Sequence, residues 1–160
     1  MNFKKCFLVS FSYLSLIITL ASCTKIDLYE KVVTLPDFHW PSTYKPQFKF
    51  QITDTAAPYQ IYVVIRHNDK YNWNNIWLNL YTAAPGDSIR KIQYELPLAN
   101  KERWLGTAMG DLYEHRVLIT PRPIFFKHAG EYTYTIEQTM REDPLENILN
   151  IGLRVEKKSQ

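Results

Sequence analysis

Along most of this chain apolar residues recur at every second position rather than every third or fourth, which sends alternate side chains to opposite faces of extended strands. Phe48, Phe50 and Ile52 alternate with Lys49 and Gln51. Ile61, Val63 and Ile65 alternate with Tyr62 and Val64, a run apolar on both faces that predicts a central strand. Ile76, Leu78 and Leu80 alternate with Trp77, Asn79 and Tyr81, and Tyr132, Tyr134 and Ile136 with Thr133, Thr135 and Glu137. Leu149, Ile151, Leu153 and Val155 alternate with Asn150, Gly152, Arg154 and Glu156. Weaker patterns cover residues 29–35, 89–96 and 115–120, for about eight strands rich in the β-branched and aromatic residues that strands prefer.

The punctuation suits antiparallel connections. Ala84-Pro85-Gly86-Asp87 places Pro and Gly where a type II turn needs a fixed φ and then a positive one. Helix is scarce: residues 142–149, with Pro144 near their start, are predicted to form one or two helical turns. RHNDKYNWNNIW at 66–77 lies between two strand patterns and is predicted to be a hairpin connection, since Asn and Asp tolerate turn conformations. An all-β chain of this kind buries its strands most simply as two packed sheets or a closed barrel. The expected fold is a two-sheet antiparallel β-sandwich, jelly-roll or immunoglobulin-like.

The first 22 residues do not belong to that pattern. Lys4 and Lys5 precede an uncharged, mostly apolar run over residues 7–20, the arrangement of an export signal and too short to span a bilayer comfortably. The run ends Leu20-Ala21-Ser22-Cys23, which resembles the lipobox of bacterial lipoproteins, whose cysteine is lipidated and becomes the mature N-terminus. Cleavage is therefore expected between Ser22 and Cys23, leaving residues 23–160 as one β-sandwich domain with no long tether, held to the membrane through its N-terminal lipid. At 160 residues the chain has the length of one domain.

Charge and cysteine content follow from that cut. The formal charge of +3 loses two lysines with the signal and becomes +1, and no basic run is left to suggest nucleic acid. Of the two cysteines, Cys6 departs with the signal and Cys23 carries the lipid, so neither disulfide nor cysteine-bound metal is expected.

The chain is poor in catalytic motifs. No Gly-x-Ser-x-Gly elbow occurs, and the five glycines, at 86, 106, 110, 130 and 152, form no phosphate-cradling loop. His39, His67, His115 and His128 lack helical metal-binding spacing. His67 and Asp69 could share one face of a strand end but lack a third ligand, whereas adjacent Glu114 and His115 point to opposite faces of a strand. The acids Asp111, Glu114, Glu142 and Asp143 read as loop charges rather than a glycosidase pair. No metal, cofactor or enzymatic activity is expected. Trp40, Trp77 and Trp104 are read as packing residues, and Trp73, in the most polar surroundings, as the least settled there. A long polar loop carrying an aromatic suits a surface contact with protein or glycan, and His67, Asp69, Tyr71, Asn72, Trp73 and Asn74 are the residues expected to supply it.

Several segments in order, the Leu20-Ala21-Ser22-Cys23 lipobox, DLYEKVV at 27–33, KPQFKFQITDTAAPY at 45–59, IYVVIRHNDKYNWNNIWLNLYTAAPGD at 61–87, LYEHR at 112–116 and YTIEQTMREDPLENILNIGLRVEK at 134–157, together resemble the GldH-type gliding-motility lipoproteins of the Bacteroidetes phylum. The resemblance implies a cell-envelope lipoprotein needed for gliding, working among other gliding-motility lipoproteins near secretion machinery, with no enzymatic activity and with Cys23 as its lipidation site. Thr24 rather than Asp after that cysteine points to the outer membrane.

Overall fold

The computed structural model describes residues 28–158. Its strands are β1 (Leu28–Thr34), β2 (His39–Trp40), β3 (Gln47–Ile52), β4 (Tyr59–Asn68), β5 (Asn75–Ala83), β6 (Arg90–Pro97), β7 (Thr107–Met109), β8 (Leu112–Leu118), β9 (Gly130–Gln138), β10 (Leu145–Glu146) and β11 (Ile148–Lys157). Eight of them, β1, β3, β4, β5, β6, β8, β9 and β11, have six residues or more. They fall where hydrophobic alternation predicts strands, although β8 begins three residues before the predicted 115–120.

All pairings are antiparallel. One sheet has the order β1-β11-β4-β8-β7 and the other β3-β9-β5-β6, with β10 and β2 as a separate two-stranded pair. The eight long strands pair first with last, β1 with β11, β3 with β9, β4 with β8 and β5 with β6. The chain is thus a long antiparallel ribbon that doubles back at the β5–β6 turn and rolls so that successive strand pairs alternate between sheets. That is the jelly-roll alternative, which buries one face of every pair. The doubling-back turn has the expected chemistry: Asp87 N–H donates to Ala84 O at 3.2 Å, and Gly86 takes the positive φ of 72° that a type II turn requires. β4 is the middle strand of its sheet, as its apolar character on both faces predicts.

Two expectations are corrected. Residues 142–149 contain no helix: Leu145 pairs with Trp40 and Ile148 with His67, and both Leu145 and Ile148 are fully buried. Strand pairing at these apolar positions overrides the local signal. RHNDKYNWNNIW is not a hairpin, because β4 and β5 lie in different sheets. The six residues 69–74 form an arch across the roughly 10 Å between packed sheets.

Inward-facing residues from both sheets make the core, including Phe48 and Ile52 of β3, Ile61 and Ile65 of β4, Leu78 of β5, Ile136 of β9 and Ile151 and Leu153 of β11. A bulge between Ile148 and Asn150 shifts the alternation of β11, so Ile148 enters the core while Leu149 stays half-buried. On the outer face of the larger sheet Arg116, Val64, Gly152 and Val32 stand side by side across four strands. Arg116 reaches over this row to Glu30 at 3.5 Å, covering Val64, which is 1 % exposed. A side chain at Gly152 would leave no room there, since an added Cβ would sit 2.8 Å from Lys31 O.

The connections gather at the two ends of the sandwich. At one end Asn68 and the loop 69–74 meet the β7–β8 turn, the segment after β6 and the β10–β11 turn: Asp69 N–H donates to Asp111 O at 2.9 Å, Leu98 N–H to Asn74 O at 2.8 Å and Asn68 N–H to Asn147 O at 3.2 Å. At the other end Leu28 pairs with Glu156, Tyr59 N–H donates to Ile124 O at 2.8 Å, and Lys158 N–H to Pro58 O at 2.8 Å. The described chain therefore begins and finishes at the end opposite the 69–74 arch.

Candidate functional site

The arch is built by asparagines. Asn68 Oδ1 accepts from Lys70 N–H at 3.0 Å, Asn68 O accepts from Tyr71 N–H at 3.2 Å, and Asn147 Nδ2 donates to Lys70 O at 3.1 Å. These bonds turn the chain and drive Tyr71 inward, where it is 4 % exposed and donates from its hydroxyl to Asn75 O at 3.0 Å. His67, last but one in β4, is fully buried. Of the six residues expected to form a contact loop, His67 and Tyr71 therefore belong to the core, because both fall on inward positions. Asp69, Asn72, Trp73 and Asn74 are exposed.

Trp73 is held at the surface. Its Nε1 donates to Glu142 Oε2 at 2.7 Å, and its side chain is 39 % exposed. Beside it on the outer face of β5 stands Trp77, 37 % exposed, whose backbone N–H donates to Met140 Sδ at 3.3 Å. Trp77 is thus not a packing residue: Ile76 and Leu78 take the inward positions on either side. Trp40 is fully buried and donates to Tyr44 O at 2.8 Å, and Trp104 is half-buried against the core. Trp73, Trp77, Asn75, Gln93, Met140 and Arg141 line a shallow cleft of about 560 Å³. Met140 and Glu142 come from the segment after β9, and no spacing in the sequence ties them to the arch.

Next to this cleft the outer face of the smaller sheet carries a polar cluster. Glu137 accepts from Asn79 Nδ2 at 2.9 Å and from the Tyr81 hydroxyl at 2.6 Å, and pairs with Lys45. Burial works against its ionisation, but the bonds from Lys45, Tyr81 and Asn79 outweigh it and hold the carboxyl down at about 2. It is a fixed anion.

Beneath the arch, β4 and β8 bring His67 and His115 together with their Nε2 atoms 2.9 Å apart and their rings stacked. His67 Nδ1 lies 2.7 Å from Asn68 O and must donate to it, so His67 Nε2 is the acceptor and His115 carries its proton on Nε2. Trp104, Tyr71 and Tyr113 rings surround the pair. Burial lowers the pKa of both, with the neighbouring His67 adding to the depression of His115, which falls to about 4. Both are neutral at ordinary pH. Sequence spacing pairs His67 with Asp69, but Asp69 lies outside the strand on the exposed arch, and the cross-strand partner depends on register. That His115 and Glu114 point to opposite faces is visible in the sequence and holds: Glu114 lies outward between Arg66 and Arg116.

Among the other acids, Glu142 is bonded to Trp73 and Asp143 to Ser42. Asp143 accepts from Ser42 N–H at 2.8 Å and from its hydroxyl at 2.6 Å. No group of three or more metal-ligating side chains occurs among the described residues. Ser22 and Cys23 lie outside the described residues.

Comparison with known proteins places the chain. The profile of the family described as "GldH lipoprotein" matches residues 27–155. A protein of Christiangramia forsetii named "Gliding motility lipoprotein GldH homolog" is 27 % identical over 156 residues, covering 92 % of this chain and 94 % of its own. A protein of Flavobacterium johnsoniae named "Gliding motility lipoprotein GldH" is 28 % identical over 152 residues, covering 88 % and 91 %. No solved structure matches. The family profile spans the whole sandwich from β1 nearly to the end of β11, and the chain belongs to the GldH lipoprotein family.

Proposed function

We propose that this protein is a lipid-anchored component of the cell envelope that serves gliding motility through protein contacts, without catalysis. The signal segment, residues 1–22, is removed, Cys23 takes the lipid, and residues 23–160 form the mature domain at the outer membrane. The names of the two relatives support the motility role and the lipoprotein character. The observation that carries the contact reading is the pair of exposed indoles, Trp73 and Trp77, at the sandwich end opposite the start of the described chain. Trp is depleted on ordinary surfaces and enriched in the centres of interfaces, where it buries much area at little entropic cost. Glu142 holds the Trp73 ring, and with Trp77 beside it the pair is placed to meet other gliding-motility or secretion lipoproteins.

The anchor is tested by labelled palmitate. Wild type should incorporate the label and Cys23→Ala should not, accumulating as uncleaved precursor; persistent labelling of the variant would remove the anchor from the account.

A second reading is favoured by the cleft itself, where two planar rings stand beside Asn75, Gln93 and Arg141. Ring stacking with flanking amides and a guanidinium is chemistry that binds sugars, and tryptophan fluorescence titrated with envelope polysaccharides, in wild type and in Trp73→Ala, separates the two readings.

A further inference from the structure

At the end where the described chain starts, a cleft opens between β6 and the segment 119–124. Arg90, Ile92 and Tyr94 are the inward positions at the beginning of β6, and Ile92 is left 51 % exposed. The space they face is a cleft of about 610 Å³, within the roughly 300–1,000 Å³ of small-molecule sites. Ile61, Leu80, Ile92, Ile119, Ile124 and Tyr134 make its walls.

Two of the polar groups inside are already engaged. Tyr134 has Thr82 as its hydrogen-bond partner, and Thr120 Oγ1 accepts from Ile61 N–H at 3.0 Å. An occupant rich in backbone amides would find few partners there, whereas a hydrocarbon chain needs none. The charge sits at the opening: Arg122 is exposed and has no ion pair or hydrogen bond among the described residues, and Arg90 meets only Asp87, at 3.7 Å. The most exposed large apolar side chains among the described residues, Ile89 at 68 % and Phe125 at 61 %, stand in the two loops of this same end.

From these observations we propose that the cleft between β6 and the segment 119–124 takes one acyl chain of an anionic lipid, with its carboxylate or phosphate held at the mouth by Arg90 and Arg122. The position agrees: Leu28 pairs with Glu156 beside the cleft end of β4, and Leu28 is five residues past Cys23, a reach of at most about 18 Å. In this one respect the inference rests on the lipid anchor at Cys23. With the anchor in place the cleft faces the bilayer and the indole pair faces away from it.

The test uses the full chain in phospholipid vesicles containing either a diazirine-labelled fatty acid or a diazirine-labelled anionic phospholipid, with photo-adducts mapped by mass spectrometry. Adducts should concentrate on residues 80–94 and 119–124, and the probe that labels better identifies the head group as carboxylate or phosphate. Ile92→Trp, which fills the opening at an exposed position, should reduce labelling at least tenfold, and Arg122→Glu several-fold, with unchanged melting temperatures. Equal labelling of wild type and Ile92→Trp, or adducts only outside the cleft, would overturn the proposal. So would a cleft that neither probe labels but that captures another polypeptide through a photoreactive side chain at position 92. Palmitate incorporation at Cys23, read on the same samples, separates failure of the cleft from failure of the anchor.

Discussion

His67 and His115 meet Nε2 to Nε2 at 2.9 Å inside the loop end of the sandwich, both neutral and each in the one tautomer its partners allow. Because burial lowers both pKa values, the unfolded chain binds more protons than the folded one below the ordinary value of 6.5. Stability contributed by the neutral pair is therefore complete above pH 6.5 and is lost as pH falls toward about 4, where His115 titrates in the folded state. Urea unfolding between pH 7.5 and 4.5 should show a falling midpoint, and His115→Gln should flatten that slope.

A separate acid window belongs to Glu137. Its depressed pKa contributes stability that is present above the ordinary 4.5 and lost as pH falls toward about 2. Glu137→Gln should abolish the part of the acid transition in this lower window and leave the histidine window intact, as read by circular dichroism across the pH series.

Two tryptophans separate stability from contact. Trp40 is fully buried, so Trp40→Ala should cost about 3–5 kcal/mol. Trp73→Ala removes an exposed ring and one hydrogen bond and should cost no more than about 1 kcal/mol. Chemical denaturation of the two variants checks the ordering, and a large loss for Trp73→Ala would make its ring structural.

Gly152→Ala should destabilise by about 1–3 kcal/mol, because the new methyl meets Lys31 O and Val32 Cγ2, each at 2.8 Å, and must push β1 away from β11. Hydrogen exchange should localise the loosening to β1.

Much of this architecture is legible in the sequence, because alternation depends only on which face each residue presents. Phe48, Ile65, Leu80 and Ile136 are inward by parity, and the structure buries all four. What alternation does not carry is which strands pair. β4 and β5 are consecutive and separated by a turn-rich stretch, which reads locally as a hairpin, yet the two strands serve opposite sheets. For the same reason His115 is not visible as the partner of His67: their meeting depends on the β4–β8 register, which pairs Ile65 with His115. Trp77 illustrates a different limit. Its size suggests packing, but its parity, opposite to Ile76 and Leu78, places it outside, and parity decides.

The most direct measurement of the central claim is photo-cross-linking in living cells from a photoreactive amino acid at position 73 of the otherwise intact chain, with position 49, on the exposed edge strand β3, as control. The account predicts discrete adducts with other envelope proteins from position 73, absent from position 49 and lost when Cys23→Ala removes the anchor. Adducts equal at both positions, or none from position 73 in actively gliding cells, would contradict it.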